Sequence, residues 1–388
     1  MSTSNIKTLN SISPQGLEIL EKVGYAVDGN EPPVGILVRS ASMHESELPP
    51  SLVAIARAGA GVNNIPVDRC TEAGVVVFNT PGANANSVKE LVITGLLISS
   101  RRIYDAIAWA KSVSGKPDVA ALVEKEKKRF VGPEILGKTL SVVGLGAIGV
   151  MVANAGVALG MDVVGYDPFI SVESAWGLSR NVRRAEDIDS AVAGADYITL
   201  HVPLNDGTRG MVNTELLRKV KKGARLLNFA RGGLVENDAL IAALDADVLS
   251  AYVTDFPDSE VVGHPGVIPI PHLGASTPEA EDNCAVMAAR QLDAYIRHGN
   301  IKNSVNFPDC HLEHNGRNRL VVANRNIPNM VGQVTTILAA EGINIMDLLN
   351  RHRGEIAYNI IDVDVDLPQT VVDAIRRIEG VIRVRVIS

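Results

Sequence analysis

The chain has 388 residues, of which 46% are hydrophobic and 21% are charged, and its formal net charge is −7. This length predicts two or three domains, with enough apolar residues for ordinary cores. Because the 37 Lys and Arg and the 44 Asp and Glu form no long run of either sign, the chain lacks the basic surface that nucleic-acid binding requires. No nucleic-acid partner is expected.

The N-terminal sequence MSTSNIKTLN has no basic region followed by an apolar run, and no stretch reaches the roughly 18 consecutive apolar residues of a membrane span. We therefore expect a soluble, cytoplasmic protein with no membrane partner. The three cysteines, Cys70, Cys284 and Cys310, are scattered along the chain, which predicts reduced structural thiols and no metal site.

The first predicted elements are short apolar runs separated by turn residues, a pattern typical of buried strands. They are GILVRS (35–40), LVAIARAGAG (52–61) and VVVFNTPG (75–82). This rhythm predicts a small α/β lobe. A long helical pattern at residues 86–107 follows it.

Between Lys138 and Gly274, β-branched runs alternate with amphipathic stretches of helix length. The runs are TLSVVG (139–144), DVVGYD (162–167), DYITLHVP (196–203), ARLLNFA (224–230), LSAYVTDF (249–256) and GVIPIP (266–271). Continuous apolar strands separated by helices predict a parallel sheet that is covered on both faces. A second long helical pattern, at residues 279–299, would return the chain to the first lobe and make that lobe discontinuous in sequence.

The pattern changes after the polar, linker-like stretch 303–318, and strand, helix, strand, strand, helix and strand follow in that order. The order βαββαβ is that of a ferredoxin-like unit. The predicted fold class is α/β, with two doubly wound parallel-sheet (Rossmann-like) lobes and a C-terminal ferredoxin-like domain. The predicted domains are a substrate-binding domain at 1–88 and 276–305, a dinucleotide-binding domain at 89–275 and a C-terminal domain at 318–388.

The segment VVGLGAIG (142–149) places Gly144, Gly146 and Gly149 in GxGxxG spacing between a predicted strand and a predicted helix. The glycines permit a tight turn, close approach of the backbone to a pyrophosphate, and close packing of helix against strand. The next strand ends at Asp167, whose carboxylate can bind ribose hydroxyls and repels a 2′-phosphate. The motif predicts NAD as the cofactor; glycines that serve only a tight turn are the alternative.

Open parallel sheets bind ligands outside the carboxyl ends of their strands. Polar residues at those predicted ends are Asp167, His201 with Pro203, Arg231, Asp255 and His272. The guanidinium of Arg231, followed by two glycines, can form a bidentate pair with a carboxylate, which suits an α-keto or α-hydroxy acid.

His272, in PHLG, can donate or accept the proton of a substrate oxygen whose charge changes as hydride moves. A nearby carboxylate would orient the ring and favour its protonated form, and Glu260, in the loop between the last two strands, can reach it. Taken singly, an arginine at a strand end is a surface cation, a lone histidine is structural and Glu260 is a solvated loop residue. Their coincidence at one sheet edge favours catalytic roles.

The ordered motifs GLGAIG, YDP, HVPL, NFARGGLVEN, DFPDSE and PHLGAS closely resemble those of the D-isomer-specific 2-hydroxyacid dehydrogenases, over residues 35–305. The resemblance implies that Arg231 binds the substrate carboxylate, that Glu260 tunes His272, and that His272 moves the proton. It also implies that Asp255 holds the nicotinamide carboxamide, with a strand-end cap as the alternative. The expected cofactor-binding residues are Gly144, Gly146, Ala147, Ile148, Gly149, Asp167, His201, Val202, Pro203, Thr208, Phe229, Ala230, Arg231, Asp255, His272 and Gly274.

In the first lobe, VRS, RAGAGVNNI and NTPGANANSVKEL look like the branch of this family that acts on 3-phosphoglycerate. The resemblance implies that Arg39 and Arg57 bind the substrate phosphate, with surface arginines as the alternative. The expected substrate-binding residues are Arg39, Arg57, Ala58, Gly59, Asn79 and Arg231. The run KEKKRF (125–130) resembles a segment that reaches a neighbouring subunit's site, and a solvated helix end is its alternative.

In the C-terminal domain, NRNIPNMVG and EGINI resemble the ACT domain, a module that senses small molecules such as amino acids. The resemblance implies an effector site for serine or another amino acid at Asn324, Asn326 and Asn344. An oligomer interface without a ligand is the alternative.

Taken together, these resemblances imply NAD-dependent oxidation of D-3-phosphoglycerate to 3-phosphohydroxypyruvate, the first step of L-serine synthesis, by a homodimer or homotetramer. One alternative is an enzyme that reduces glyoxylate or hydroxypyruvate, which have no phosphate. An alternative from another class is a NAD-sensing regulatory protein similar to the C-terminal-binding corepressors, which share the Arg, Glu and His set.

Overall fold

The computed structural model describes residues 4–313 and 318–387. The part of the predicted linker at 314–317 and the N-terminal residues 1–3 lie outside the described residues. The chain divides into two compact units, the first formed by Met1–Ala83 with Glu281–Ser388 and the second by Asn84–Ala280. In this division the C-terminal residues belong to the first unit, and the three predicted domains stay a prediction.

The strands are β1 (Asn5–Leu9), β2 (Ala26–Val27), β3 (Pro33–Val38), β4 (Ala54–Arg57), β5 (Val76–Phe78), β6 (Thr139–Val143), β7 (Asp162–Tyr166), β8 (Arg183–Arg184), β9 (Tyr197–Leu200), β10 (Ala224–Asn228), β11 (Leu249–Thr254), β12 (Val267–Pro269), β13 (Arg319–Arg325), β14 (Ile345–Arg353), β15 (Ile356–Val363) and β16 (Val381–Ile387). The helices are α1 (Pro14–Lys22), α2 (Val67–Glu72), α3 (Ala85–Ser100), α4 (Ile103–Ser112), α5 (Val119–Glu126), α6 (Ala147–Ala158), α7 (Val172–Gly177), α8 (Ile188–Val192), α9 (Thr214–Leu217), α10 (Asn237–Asp245), α11 (Pro278–His298), α12 (Met330–Ala340) and α13 (Gln369–Arg376). A 3-10 turn at Lys127–Phe130 follows α5.

The two parallel sheets have the strand orders of doubly wound folds. The first unit contains a five-stranded sheet in the order β2-β1-β3-β4-β5, and the second contains a seven-stranded sheet in the order β12-β11-β10-β9-β6-β7-β8. In each sheet the order reverses once, between β1 and β3 in the first and between β6 and β9 in the second. Such reversals create the crevices in which doubly wound proteins bind their ligands.

The apolar runs of the sequence form the strands because they are buried on both faces. All four residues of β9 are buried, and β10 and β11 each have only one residue that is not. The predicted α/β class with parallel sheets is confirmed. The three cysteines are free and buried.

The helical pattern at 86–107 was predicted as one helix, and this prediction is wrong. The structure has two helices, α3 and α4, because Arg102 adopts a left-handed backbone conformation with φ of 47°. Gly132 packs against the end of α3 so closely that a Cβ would lie 2.0 Å from the carbonyl oxygen of Ser100. The helical spacing of apolar residues continues across this break, so the sequence pattern did not reveal it.

The C-terminal residues form an antiparallel sheet in the order β14-β15-β13-β16, which is the ferredoxin-like arrangement predicted from the βαββαβ pattern. One face of this sheet packs with α12 and α13 in a core that includes Leu320, Val322 and Ile361. The other face contributes Val321 and Tyr358 to the core of the first parallel sheet. The domain therefore shares a hydrophobic core with the first lobe, and its independent folding stays a prediction.

None of the helices in the described residues is both long and apolar enough to span a membrane.

Candidate active site

The glycine loop lies where the strand order of the second sheet reverses. Gly144 follows β6 with φ of 94°, and a Cβ on it would lie 2.7 Å from the carbonyl carbon of His201, the residue that follows β9. A Cβ on Gly149 would lie 1.9 Å from the carbonyl oxygen of Gly144. The first glycine thus serves the turn and the contact with β9, and the third lets α6 approach the loop.

Gly146 differs from these two glycines because a Cβ on it would meet no atom within 4 Å among the described residues. Internal packing therefore does not account for a glycine at the N-cap of α6. The open space lies beside the first turn of α6, where Ala147 and Ile148 stand, and unpaired amides at a helix N-terminus suit a phosphate group. The loop fits the pyrophosphate of a dinucleotide.

Asp167, directly after β7, is tied to the same loop. Its Oδ2 accepts a hydrogen bond of 2.8 Å from the amide of Leu145, and its Oδ1 accepts one of 2.8 Å from the amide of Phe169. An ionised carboxylate can accept about four hydrogen bonds, so capacity remains for ribose hydroxyls. Its role in binding the ribose stays a prediction.

Asp255, which follows β11, is 2% exposed. Its Oδ2 accepts a hydrogen bond of 3.3 Å from the amide of Gly274, whereas its Oδ1 has no hydrogen-bond partner among the described residues. Burial raises the pKa of Asp255, and the charges of His272 and Arg231 act in the opposite direction. A buried acceptor without a donor is costly, so this atom fits a ligand N–H such as that of a carboxamide.

The residues that follow β9 and β10 lie at the same edge of the sheet. Burial lowers the pKa of His201 to about 3, so its ring is neutral at ordinary pH, and Nε2 lies 3.0 Å from the hydroxyl of Thr199. The hydroxyl of Thr208 donates a hydrogen bond of 2.6 Å to the carbonyl of Pro203, which fixes the loop after Val202. Phe229 and Ala230 are buried between β10 and Arg231.

Arg231 is exposed at the end of the β10 segment. Its Nη1 donates a hydrogen bond of 2.7 Å to the carbonyl of Ala230, and Asn228 Nδ2 donates one of 2.9 Å to the carbonyl of Arg231. These bonds fix the backbone and orient the side chain while leaving most of the five guanidinium donors for a ligand. This is the geometry expected of a carboxylate clamp.

His272 is exposed, and its ring lies against Phe256, with 4.4 Å between the ring centroids. Glu260 does not join it. Oε2 of Glu260 accepts a hydrogen bond of 2.6 Å from Asn237, and no described contact links this carboxylate to His272. The structure therefore brings together Arg231, Asp255 and His272, while the role of Glu260 stays a prediction.

The run KEKKRF is paired locally. Lys127 forms an ion pair with Glu124, and Arg129 forms one of 3.1 Å with Glu126 and lies over the ring of Phe130. All of these side chains are partly or fully exposed, as the solvated helix end predicted as the alternative would be.

In the first unit, Arg39 and Arg57 stand at the carboxyl ends of the neighbouring strands β3 and β4. Arg57 Nε donates a hydrogen bond of 3.0 Å to the carbonyl of Arg39, and Arg39 Nη2 lies 2.5 Å from Oε1 of Glu281. The sequence did not indicate Glu281, which belongs to α11. The structure brings the two arginines together, but one of them already has an acidic partner.

The loop after β4 supports this pair. A Cβ on Gly59 would lie 2.7 Å from Nη1 of Arg57, so a larger residue there would displace this guanidinium. Asn79 Nδ2 donates a hydrogen bond of 2.6 Å to the carbonyl of Ala60, and the amide of Ala58 donates one of 2.8 Å to Val38. The five predicted first-lobe residues are therefore neighbours.

The three asparagines predicted as an effector site are not brought together within one chain. Asn324 is 1% exposed, and its Oδ1 accepts a hydrogen bond of 2.7 Å from Asn359 inside the sheet. Asn326 follows the end of β13, whereas Asn344 precedes the start of β14, which runs parallel to β13. With about 3.3 Å per residue, Asn326 and Asn344 lie at opposite ends of the sheet.

The doubly wound second sheet has a glycine loop at its switch point and a neighbouring arginine and histidine, which is the arrangement with which doubly wound α/β proteins bind dinucleotides. Residues 93–274 match the family model described as D-isomer specific 2-hydroxyacid dehydrogenase, NAD binding domain. Over these residues the chain is similar to the NAD-binding domain of that family.

Two dehydrogenases and one solved structure are similar to the chain over most of its length. D-3-phosphoglycerate dehydrogenases of Methanocaldococcus jannaschii and Bacillus subtilis are each 36% identical to the chain, over 80% and 79% of its length. The matches cover only 57% and 58% of those relatives, so the chain spans less than three fifths of their length. The solved structure of an NAD+-bound 3-phosphoglycerate dehydrogenase of Entamoeba histolytica is 27% identical, with a TM-score of 0.60, and the match covers 79% of this chain and 99% of that chain.

Proposed function

We propose that the protein oxidises D-3-phosphoglycerate to 3-phosphohydroxypyruvate with NAD, as an enzyme of L-serine synthesis. The observation that supports this most strongly is the cluster of Arg231, Asp255 and His272 at the sheet edge that carries the glycine loop. The names of the two relatives from Methanocaldococcus jannaschii and Bacillus subtilis support the choice of substrate. The family model and the NAD+-bound relative support the choice of cofactor.

Different residues of the second unit would bind different parts of the cofactor. The glycine loop and the N-terminus of α6 would hold the pyrophosphate, Asp167 the adenosine ribose, and Asp255 Oδ1 the carboxamide of the nicotinamide. When bound, NAD supplies the acceptor for the hydride. Because the unpartnered Oδ1 needs an N–H donor, Asp255 would fix which face of the ring is presented to the substrate.

The substrate roles follow from charge and geometry. Arg231 binds the carboxylate through two parallel N–H donors, which also orients the adjacent carbon. His272 accepts the hydroxyl proton as the carbonyl forms, and its exposed ring can pass that proton to water. Glu260 would favour the protonated imidazole once its hydrogen bond from Asn237 is exchanged for one from His272.

Arg39 and Arg57 would bind the phosphate. A phosphate dianion offers Arg39 more charge than the single carboxylate of Glu281, and amides of the Ala58–Gly59 turn can add donors. Exchange of Glu281 for phosphate is therefore part of the proposal.

The proposal is tested by following NADH oxidation with 3-phosphohydroxypyruvate and, in parallel, with unphosphorylated hydroxypyruvate. We expect kcat/KM to be at least about 100-fold higher for the phosphorylated compound, since two charge-assisted contacts are worth about 1.5 to 3 kcal/mol each. In Arg57→Gln this preference should fall while activity on hydroxypyruvate is kept. Equal rates with both substrates would instead identify a glyoxylate or hydroxypyruvate reductase, and no turnover would favour an NAD-sensing protein.

The proposal extends to a cytoplasmic homodimer or homotetramer with an amino-acid effector. Since Asn326 and Asn344 lie at opposite ends of one sheet, a serine site that uses both requires two copies of the C-terminal domain. We expect L-serine to bind the intact oligomer in a calorimetric titration, and Asn344→Ala to weaken that binding. A titration without heat from L-serine would remove the effector from the proposal and leave the domain as an interface.

A further inference from the structure

A cavity of about 650 Å³ lies along α11 in the first unit, and its wall is formed by one side of this helix together with residues 300–303 and 311. All of its lining residues belong to the first unit, so it contains neither the glycine loop nor Arg231. Its size falls within the roughly 300 to 1,000 Å³ of small-molecule sites.

Gln291 lines this cavity, is 8% exposed, and has no hydrogen-bond partner for either Nε2 or Oε1 among the described residues. Buried amides are almost always hydrogen-bonded because removal from water is costly otherwise. Gln291 lies on the cavity side of α11, one turn from Met287. Its Nε2 can therefore donate two hydrogen bonds to a ligand, and its Oε1 can accept hydrogen bonds.

The charges around the cavity are of one sign. Arg290 and Lys302 line it together with His311, and no Asp or Glu is among its described lining residues. Three of the four acidic residues of α11 are engaged elsewhere, and the fourth, Glu279, does not line the cavity. Glu281 pairs with Arg39, Asp282 accepts hydrogen bonds from Ser13 and Gln15, and Asp293 accepts one from Tyr25. The cavity thus presents cations without the acids that would neutralise them.

The rest of the wall is largely apolar and includes Val286, Met287 and Ile301. An inorganic anion would leave this surface in contact with water, whereas an apolar molecule would leave Gln291 and the cations unpaired. A molecule with one carboxylate and a short hydrocarbon body would pair with the cations and with the N–H groups of Gln291, and its hydrocarbon would cover the apolar wall.

From this arrangement we propose that the α11 cavity is a binding site for a small organic carboxylate with an apolar body. The carboxylate pairs with Arg290 and Lys302, Gln291 donates its amide hydrogen to the ligand, and the hydrocarbon covers Met287 and Ile301. The site is independent of the proposed dehydrogenase reaction.

The test uses the full chain and ligand-observed NMR, with hexanoate as the probe. Hexan-1-ol, which lacks the charge, and acetate, which lacks the apolar body, are the matched comparisons. We expect hexanoate to bind at least about tenfold more tightly than either compound, the effect of one charge-assisted contact or a few methylene groups. Equal binding of hexanol and hexanoate would overturn the proposal.

Variants locate the site. Arg290→Gln should weaken hexanoate binding about tenfold, while Arg297→Gln, the same change on the same helix at a residue that pairs with Asp293 and does not line the cavity, should leave it unchanged. Gln291→Leu should also weaken binding without lowering the midpoint of thermal unfolding, because it removes two unpartnered buried atoms. This second variant separates ligand binding from damage to the fold.

Arg231→Gln controls for the other carboxylate site, since hexanoate could occupy the proposed clamp of the enzyme. Binding that disappears in Arg231→Gln and persists in Arg290→Gln would overturn the α11 site. Sedimentation of the same variants tests the remaining alternative, in which a second copy of the chain covers this face. No binding of hexanoate to any form, with a changed oligomeric state in Arg290→Gln, would identify the face as a contact between copies of the chain.

Discussion

Arg231→Lys is expected to raise the KM for 3-phosphohydroxypyruvate strongly and to lower kcat/KM about 10- to 150-fold. Lysine keeps the positive charge but presents a point donor in place of two parallel N–H groups, and a bond to a charged group is worth about 1.5 to 3 kcal/mol. The hydrogen bond from Arg231 to the carbonyl of Ala230 is 2.7 Å and orients the guanidinium before the substrate arrives, so its loss adds to the effect. Steady-state kinetics with varied substrate at saturating NADH measure both KM and kcat/KM.

Two controls separate the loss of the clamp from other damage. Arg218→Lys makes the same exchange at the C-cap of α9, on the connection that leads to the amino end of β10, and should leave KM unchanged. The affinity of Arg231→Lys for NADH, measured by fluorescence, should also stay within about twofold of the original, because the glycine loop and Asp167 are untouched. An unchanged KM in Arg231→Lys would contradict the carboxylate role.

Much of this site could be predicted from the sequence because parallel strands end at one edge. Arg231, Asp255 and His272 each follow an apolar run, and the fold rule for doubly wound sheets places the ends of those runs together. The same logic brought Arg39 and Arg57 together, since β3 and β4 are neighbours with Val38 opposite Arg57. Local sequence sufficed wherever a residue's position depended only on strand order.

Features that depend on side-chain contacts between distant segments were missed. Glu281 beside Arg39, the hydrogen bond between Glu260 and Asn237, and the unpartnered Gln291 leave no local trace in the sequence. Strand β1 was also missed, because Asn5–Leu9 contains only two apolar residues, Ile6 and Leu9, and only Ile6 is fully buried.

Asn324 shows the same limit at the C-terminal sheet. A motif resemblance suggested a ligand position, whereas in the structure the exposed Asn350 donates a hydrogen bond of 2.6 Å to the buried Asn359, and Asn359 donates one of 2.7 Å to the buried Asn324. Because each amide satisfies the next, these hydrogen bonds stabilise three adjacent strands. The environment of Asn324 depends on the register between neighbouring strands, and no single sequence segment encodes that register.

Arg319→Met is expected to be the most destabilising single change in the C-terminal sheet, with a loss of about 3 to 5 kcal/mol in the free energy of unfolding. Arg319 is 0% exposed, and its guanidinium forms two bonds with Asp362, of 2.6 and 2.8 Å. It also donates to the carbonyls of His298, Leu312 and Glu313. Methionine would leave a buried carboxylate and three carbonyls without donors. Urea unfolding followed by circular dichroism measures the loss.

Arg325→Met is the matched control, because Arg325 lies on the same strand but is half exposed and only 3.9 Å from the exposed Glu355, a pair worth about 0 to 1 kcal/mol. If Arg319→Met cost no more than this control, the buried pair would not hold the sheet. Adding Asp362→Leu to Arg319→Met should recover part of the loss, since the unpaired charge is then removed. The carbonyls of α11 and of residues 312 and 313 would still lack donors, so recovery should be incomplete. The loss of unfolding free energy that remains in the double variant measures how much the bonds from Arg319 to these carbonyls stabilise the packing of the C-terminal sheet on the first lobe.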